Sequence, residues 1–261
     1  MRRALHKLLE VGAAAVFLLS PPLSAHALQA ASGDSGEPAL LSPEYTIGSP
    51  TAGVTVVEYL SDTCPHCALF SKTVFPYVRS AYVDTDRIRY VFREVLTSPA
   101  SISAAGFLLA RCNGGRRYLD ALDSLFQAQP RLVNNAAGRA ILLVIGRQIG
   151  LSDNQIQACL SDQAAAQALD DRVDAAIAAK VDSTPTFVFN GHILLPGERL
   201  GRTVYQGGEL TRAQFDVAYR QALARPQASP PPGVRSVSPT RTGSADDTSP
   251  QTMADPPPTS P

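Results

Sequence analysis

Val54-Thr55-Val56-Val57-Glu58-Tyr59-Leu60-Ser61-Asp62-Thr63-Cys64-Pro65-His66-Cys67 is the stretch on which the reading of this chain turns. Val54 to Leu60 is almost all β-branched or apolar, the composition of a strand buried on both faces. Ser61, Asp62 and Thr63 make a short turn, and Pro65 fits the first turn of a helix, where its missing N–H leaves nothing unsatisfied. Cys64 therefore falls between the end of a strand and the start of a helix. Backbone N–H groups without helical partners point toward a sulfur placed there, and together with the helix dipole they favour thiolate over thiol. Cys67 lies one turn along, close enough to close a small disulfide ring with Cys64, which suits an exposed attacking sulfur and a buried resolving one. His66, in the same turn, can add positive charge or a hydrogen bond; the alternative is a solvent-exposed turn residue. Glu58 stands inside the apolar run, where a charge is expensive unless it has a task. The alternative for Glu58 is a strand position whose carboxylate reaches water.

Outward from this stretch, the helix that opens at Pro65 runs to about Tyr82, with a kink expected at Pro76. Arg87 to Val95 alternates charged and apolar residues and reads as a second strand. From Ser98 to Lys180 the pattern is helical: Ala104 to Cys112, Tyr118 to Gln127, Ala136 to Ile149, Asp153 to Leu160 and Ala164 to Ala179 carry apolar residues at three-to-four spacing. Gly114-Gly115, Pro130 and Gly150-Leu151-Ser152 punctuate them, with Ser152 placed as an N-cap. Strand character returns at Thr186 to Asn190, turns at Asn190-Gly191 and continues from His192 to Leu195; Asn-Gly between apolar runs is a strong hairpin signal. Thr211 to Ala224 closes the series as an amphipathic helix. The fold class that follows is α/β, a small sheet domain with helices inserted in its middle.

The two ends read differently. Met1 to Ala27 has basic residues (Arg2, Arg3, Lys7), an apolar stretch from Val11 to Leu19, Pro21-Pro22 and the small-residue site Ala25-His26-Ala27. That order is a secretory signal peptide cleaved after Ala27, and its apolar core is too short to span a bilayer. From Pro226 onward the composition turns to Pro, Ser, Thr, Gly and Asp, which cannot bury enough surface to offset chain entropy; residues 225–261 are expected to be a disordered tail. The formal net charge of the 261 residues is +0, and no basic run suggests nucleic-acid binding.

A lone C-x-x-C suits zinc, iron–sulfur or redox work. A Cys₄ zinc site would need Cys112 and Cys159 to meet the first pair, and helical spacing gives no reason for that. A carrier of Cu(I) on paired thiolates is the main non-enzymatic alternative. Such sites usually recruit Met and His, and beyond the expected leader only Met253, His66 and His192 remain.

Glu58-Tyr59-Leu60-Ser61-Asp62-Thr63 with the Cys64-Pro65-His66-Cys67 pair, followed much later by Ser183-Thr184-Pro185-Thr186, resembles the DsbA family of the thioredoxin superfamily. The resemblance covers roughly Tyr45 to Ala224 and implies a thioredoxin-like fold with a helical insertion domain. Residues 28–44 would be an N-terminal linker, 45–97 and 181–224 the two parts of the thioredoxin-like domain, and 98–180 the insertion. It further implies that Cys64 is the nucleophile and Cys67 the resolving cysteine. Pro185 would be cis, with Thr184 beside the active disulfide offering backbone bonds to bound peptide. Glu58 would be a buried acid that helps move protons to and from the resolving thiol. Cys112 and Cys159 are expected to pair as a structural disulfide, as in some family members, with two free buried thiols as the alternative.

The implied activity is thiol:disulfide exchange in the periplasm without metal or cofactor, by a monomer acting on reduced or unfolded exported proteins and reoxidised by a quinone-linked membrane protein. Introduction of disulfides is the expected direction. Isomerases and reductases of the same superfamily are the alternative, since Thr before the cis proline occurs in isomerase-type relatives too; those usually dimerise through an added domain, which is not read here.

Overall fold

The computed structural model describes residues 44–134 and 137–225. The expected leader, the linker up to residue 43 and the Pro/Ser/Thr-rich tail from residue 226 lie outside the described residues. Strand β1 spans Tyr45–Gly48, β2 Val54–Leu60, β3 Ile88–Glu94, β4 Thr186–Phe189 and β5 His192–Ile193, and they form one sheet in the order β1-β3-β2-β4-β5. β2 takes a central place, parallel to β3 and antiparallel to β4, because both its faces are apolar. Val57 and Tyr59 join Val91, Val188 and Ala176 on one face, while Val54, Val56 and Leu60 join the main core with Phe70, Phe187 and Phe189 on the other. This is the two-residue alternation of a pleated strand.

β1, the antiparallel edge strand on β3, was not legible in the sequence. Its pattern alternates half-buried and exposed positions over four residues, too short a run to separate from a loop. It ends at Gly48 (φ +83°), where a Cβ would stand 2.3 Å from the Ile88 carbonyl oxygen. The β4–β5 hairpin turns at Asn190 (φ +47°) and Gly191 (φ +81°), the left-handed pair a tight hairpin requires. β5 is shorter than the His192–Leu195 expected, since the Leu195 N–H donates to Glu198 Oε1 at 2.7 Å instead of to a strand partner. Two-residue strands β6 (Arg199–Leu200) and β7 (Thr203–Val204), which the sequence reading missed, make a separate small hairpin.

Helix α1 covers Pro65–Thr73, α2 Phe75–Val78, and a π turn Arg79–Val83 follows. The single kinked helix expected here is broken at Val74 (φ −115°), and Pro76 sits in the first turn of α2. A proline cannot continue the hydrogen-bond ladder of α1 but is well suited to opening a new helix. The inserted helices are α3 (Ala100–Ala110), α4 (Tyr118–Asn134), α5 (Gly138–Gln148), α6 (Asp153–Leu160) and α7 (Gln163–Ala178). α4 runs through Pro130, where a break was expected. Leu125 and Phe126 before it and Leu132 after it are all buried, and that packing outweighs a cost of about 3 kcal/mol for an interior proline. Ser152 caps α6 in a full capping box with Gln155.

Two features tie the insertion to the sheet. Glu94, fully buried at the end of β3, accepts from Arg111 Nε at 2.6 Å, Arg172 Nε at 2.7 Å and the Tyr118 hydroxyl at 3.1 Å. A buried carboxylate is tolerated when its charge is so paired. Ala176 of α7 packs under the second face of the sheet. The last helix, α8 (Arg212–Ala224), lays Phe215 against Phe189 and Tyr82 at ring distances of 5.2 and 5.3 Å.

Candidate active site

Cys64 is the N-cap of α1 with an extended backbone (φ −86°, ψ 121°), and Pro65 occupies the first turn. The strand–turn–helix junction thus puts Cys64 Sγ at the helix N-terminus, where the amides of His66 and Cys67 reach it. Both cysteines are free thiols, and Cys67 is completely buried. Cys64 is less open than an exposed attacking sulfur was expected to be: the residue is 7% exposed. Its sulfur lies 3.2 Å from the Thr184 carbonyl oxygen, so the Thr184-Pro185 loop, whose peptide bond is cis, covers one side.

The two thiols differ sharply. Cys64 is lowered to about 5, first by the hydrogen bond from the Cys67 thiol, against the opposing effect of burial, with help from Thr184 and the Cys67 and His66 amides. Cys67 is pushed well above the usual thiol range by burial, then by its bond to Cys64 and by the nearby charges of Cys64 and Glu58. The Ser61 N–H points at Cys67 Sγ at 3.5 Å. A thiolate at Cys64 beside a thiol at Cys67 is the pairing that thiol–disulfide exchange uses.

Glu58 is 4% exposed, and its Oε2 accepts a 2.7 Å hydrogen bond from the Tyr90 hydroxyl; its carboxylate does not project into water. Burial raises it to about 7, against the Tyr90 bond, and the Cys64 charge adds to the rise. A cavity of about 290 Å³ adjoins it, walled by Leu60, Phe75, Phe92 and Phe126 and by the exposed Arg79, Asp120 and Asp123.

His66 points outward, and its Nδ1 meets Glu209 Oε2 at 2.7 Å. Cys112 and Cys159 are joined in a disulfide across the insertion, with Cα atoms 5.7 Å apart. Among the described residues no group of three or more His, Cys, Asp or Glu side chains could hold a metal ion, and no helix is long and apolar enough to cross a membrane.

Sequence reasoning missed Asp62, which is 1% exposed. It was taken as an ordinary turn residue; the available signal was a charged side chain wedged between a buried strand and a buried sulfur. Glu209, far along the chain in a glycine-flanked loop, offered no signal.

A family model described as Thioredoxin matches residues 41–201. A Rickettsia typhi protein whose name assigns it provisionally to the protein-disulfide oxidoreductases is 33% identical over 150 residues, covering 57% of this chain and 55% of the relative. The chain thus spans about half the length of the curated relatives it matches. Among solved structures, α-DsbA1 of Wolbachia pipientis superposes with a TM-score of 0.59 at 21% identity, over 70% of this chain and 94% of that one. Oxidised BdbD of Bacillus subtilis superposes with a TM-score of 0.59 at 17% identity, over 72% and 96%. At these identities the two structures carry the fold, a thioredoxin-like sheet with helices inserted in it.

Proposed function

The chain belongs to the thioredoxin family, and from that premise we propose that it is an exported thiol:disulfide oxidoreductase that introduces disulfides into reduced or unfolded client proteins. The observation that carries the reading is the contrast between Cys64, lowered to about 5, and Cys67, pushed well above the thiol range, one helical turn apart. In the oxidised enzyme a client thiolate attacks Cys64 Sγ, the Cys64–Cys67 bond breaks, and the Cys67 sulfur takes up a proton. The second client thiolate then attacks the client sulfur of the mixed disulfide and releases the Cys64 thiolate. The client loses two electrons and gains one S–S bond; the enzyme gains the electrons as one thiolate and one thiol.

Glu58 is assigned as the group that supplies and recovers the Cys67 proton. A carboxyl that titrates near neutrality matches that task, and the adjoining cavity gives the proton a way to solvent. His66 acts on Cys64 through its backbone amide while its side chain pairs with Glu209, and the Thr184-Pro185 loop, against the attacking sulfur, takes the client backbone. Reoxidation requires an electron acceptor, and the family resemblance implies a quinone-linked membrane protein.

Linkage supports the oxidising direction of transfer. A thiol depressed from 9.0 to about 5 stabilises the reduced fold fully above 9.0, and the effect is lost as pH falls through 5. At about pH 7 the shift is worth about 3 kcal/mol, reduced to roughly 2 by solvent screening at the open side of the sulfur. That equals about 40 mV toward an oxidising potential in a two-electron couple. Equilibration with glutathione buffers and denaturant unfolding of both redox forms test this. The reduced form should be the more stable; a more stable oxidised form with a thioredoxin-like potential would assign the protein to the reductases instead.

A further inference from the structure

The turn before the nucleophile holds a second buried carboxyl. Asp62 Oδ1 accepts a 2.6 Å hydrogen bond from Ser103 Oγ of α3. Its Oδ2 fills a niche that exists only because residue 106 is glycine: a Cβ there would stand 1.8 Å from that oxygen. Ser103 Oγ also lies 3.0 Å from Ser61 Oγ, and the Ser61 N–H is the group pointed at Cys67 Sγ. Gln129 of α4 donates to the Asp62 carbonyl at 2.9 Å. The carboxyl is therefore built into the insertion on one side and linked to the resolving sulfur on the other.

We propose that Asp62 is a positioning residue of the dithiol centre that takes up a proton when the centre is reduced and releases it when the disulfide reforms. The proposal rests on the reading of Cys64 and Cys67 as a redox pair. Reduction by a client breaks the Cys64–Cys67 bond, forms the client S–S bond and frees two client protons. One proton goes to Cys67; the other, which would pass to solvent, is taken in part by Asp62. The cause is electrostatic: a thiolate at Cys64, two residues away in a poorly solvated site, disfavours a second negative charge, and the disulfide carries none.

The remaining surroundings agree. The charged and titratable groups that act on Asp62 are Glu94 of β3, which is neutralised by Arg111 and Arg172, and Tyr118 of α4; α3 presents neutral Ser103 and Gly106. Burial raises Asp62 to about 8, opposed by the Ser103 bond and the Asp62 and Thr63 amides. A carboxyl poised there responds to a modest change in local charge.

The test is the equilibrium constant with glutathione, measured from about pH 6 to about pH 10 for wild type, D62N and S103A. Wild type should show an additional change of about threefold across the region near pH 8, the amount a coupling of half a pKa unit produces. D62N should lack it. S103A, which removes a bond to the ionised carboxyl, should keep it but move it to higher pH. A D62N profile parallel to wild type overturns the proposal, as does an S103A profile that is unmoved should D62N fail to fold. If wild type itself does not equilibrate with glutathione, the redox reading falls and this proposal with it.

Discussion

The Tyr90 hydroxyl on β3 donates a 2.7 Å hydrogen bond to Glu58 Oε2 on the adjacent parallel strand, and both residues are buried in the sheet. The bond lowers the carboxyl, yet burial prevails and Glu58 settles at about 7 against 4.5 for an ordinary glutamic acid. Because the folded value is raised, the stability that the protonated acid provides is complete below 4.5 and lost as pH rises through 7. Above that pH the ionised carboxylate costs about 3 kcal/mol relative to a neutral side chain. E58Q keeps an acceptor for Tyr90 and carries no charge. Its unfolding free energy in the reduced form should exceed wild type by up to this amount near pH 8 and converge with it near pH 4. A stability difference that does not vary with pH would remove the raised carboxyl from the account.

Alkylation separates the two thiols. Cys64, at about 5, should react with iodoacetamide at a rate that rises through pH 5 and is level by about pH 7. Cys67, buried and held well above the thiol range, should remain unmodified in the folded protein. C64S should abolish disulfide transfer to a reduced client, and retained transfer would reassign the nucleophile. Mass mapping of the alkylated peptides reads both outcomes.

Much of this site could be read from the residues alone, for an identifiable reason. Strand, turn, Pro65 and helix follow one another within fourteen residues of chain from Val54 to Cys67, so local rules alone bring Cys64 to the helix end. The long-range parts were legible only through the resemblance: Thr184 reaches Cys64 across a separation of 120 residues, and nothing in local spacing reports that. Asp62 and Glu209 were illegible for the opposite reason. Their residue types are ordinary for turns and loops, and only the packing of α3 against the active-site turn, or of a distant loop against His66, gives them partners. Pro130 was misread because propensity spoke for a break while the burial of Leu132 decided for a helix.

The Cys112–Cys159 bond closes a loop with a sequence separation of 47. On a chain-entropy estimate it contributes about 4 kcal/mol, mostly by restricting the unfolded chain. The double variant C112S/C159S should lose a large part of that in denaturant unfolding, with the Cys64 alkylation profile unchanged. Mild reductant should open a Cys64–Cys67 disulfide first and leave the second bond for denaturing conditions. A double variant as stable as wild type would mean that the reduced insertion is already constrained in the unfolded state.

Helix α5 meets α6 through a glycine. A Cβ at Gly146 would stand 2.4 Å from Ile156 Cδ1 and 2.6 Å from its Cγ1, and Ile156 is completely buried. Alanine would gain about 1 kcal/mol in helix propensity, but inserting a methyl into a filled core costs about 1 to 3 kcal/mol. With two contacts inside the limit that real Cβ atoms respect, the cost should prevail, and G146A should be destabilised by roughly 1 kcal/mol. Shortening the opposing side chain discriminates this from a loss of helix quality. I156V alone should cost about 1 kcal/mol as an ordinary core truncation, whereas in G146A/I156V the loss of Cδ1 removes the shorter of the two contacts and leaves only the one at Cγ1. The two changes should therefore be less than additive, with a coupling of about 1 kcal/mol in a double-mutant cycle of denaturant unfolding. Strict additivity would show that α5 and α6 move apart to accept the methyl, and that Gly146 is not what sets their distance.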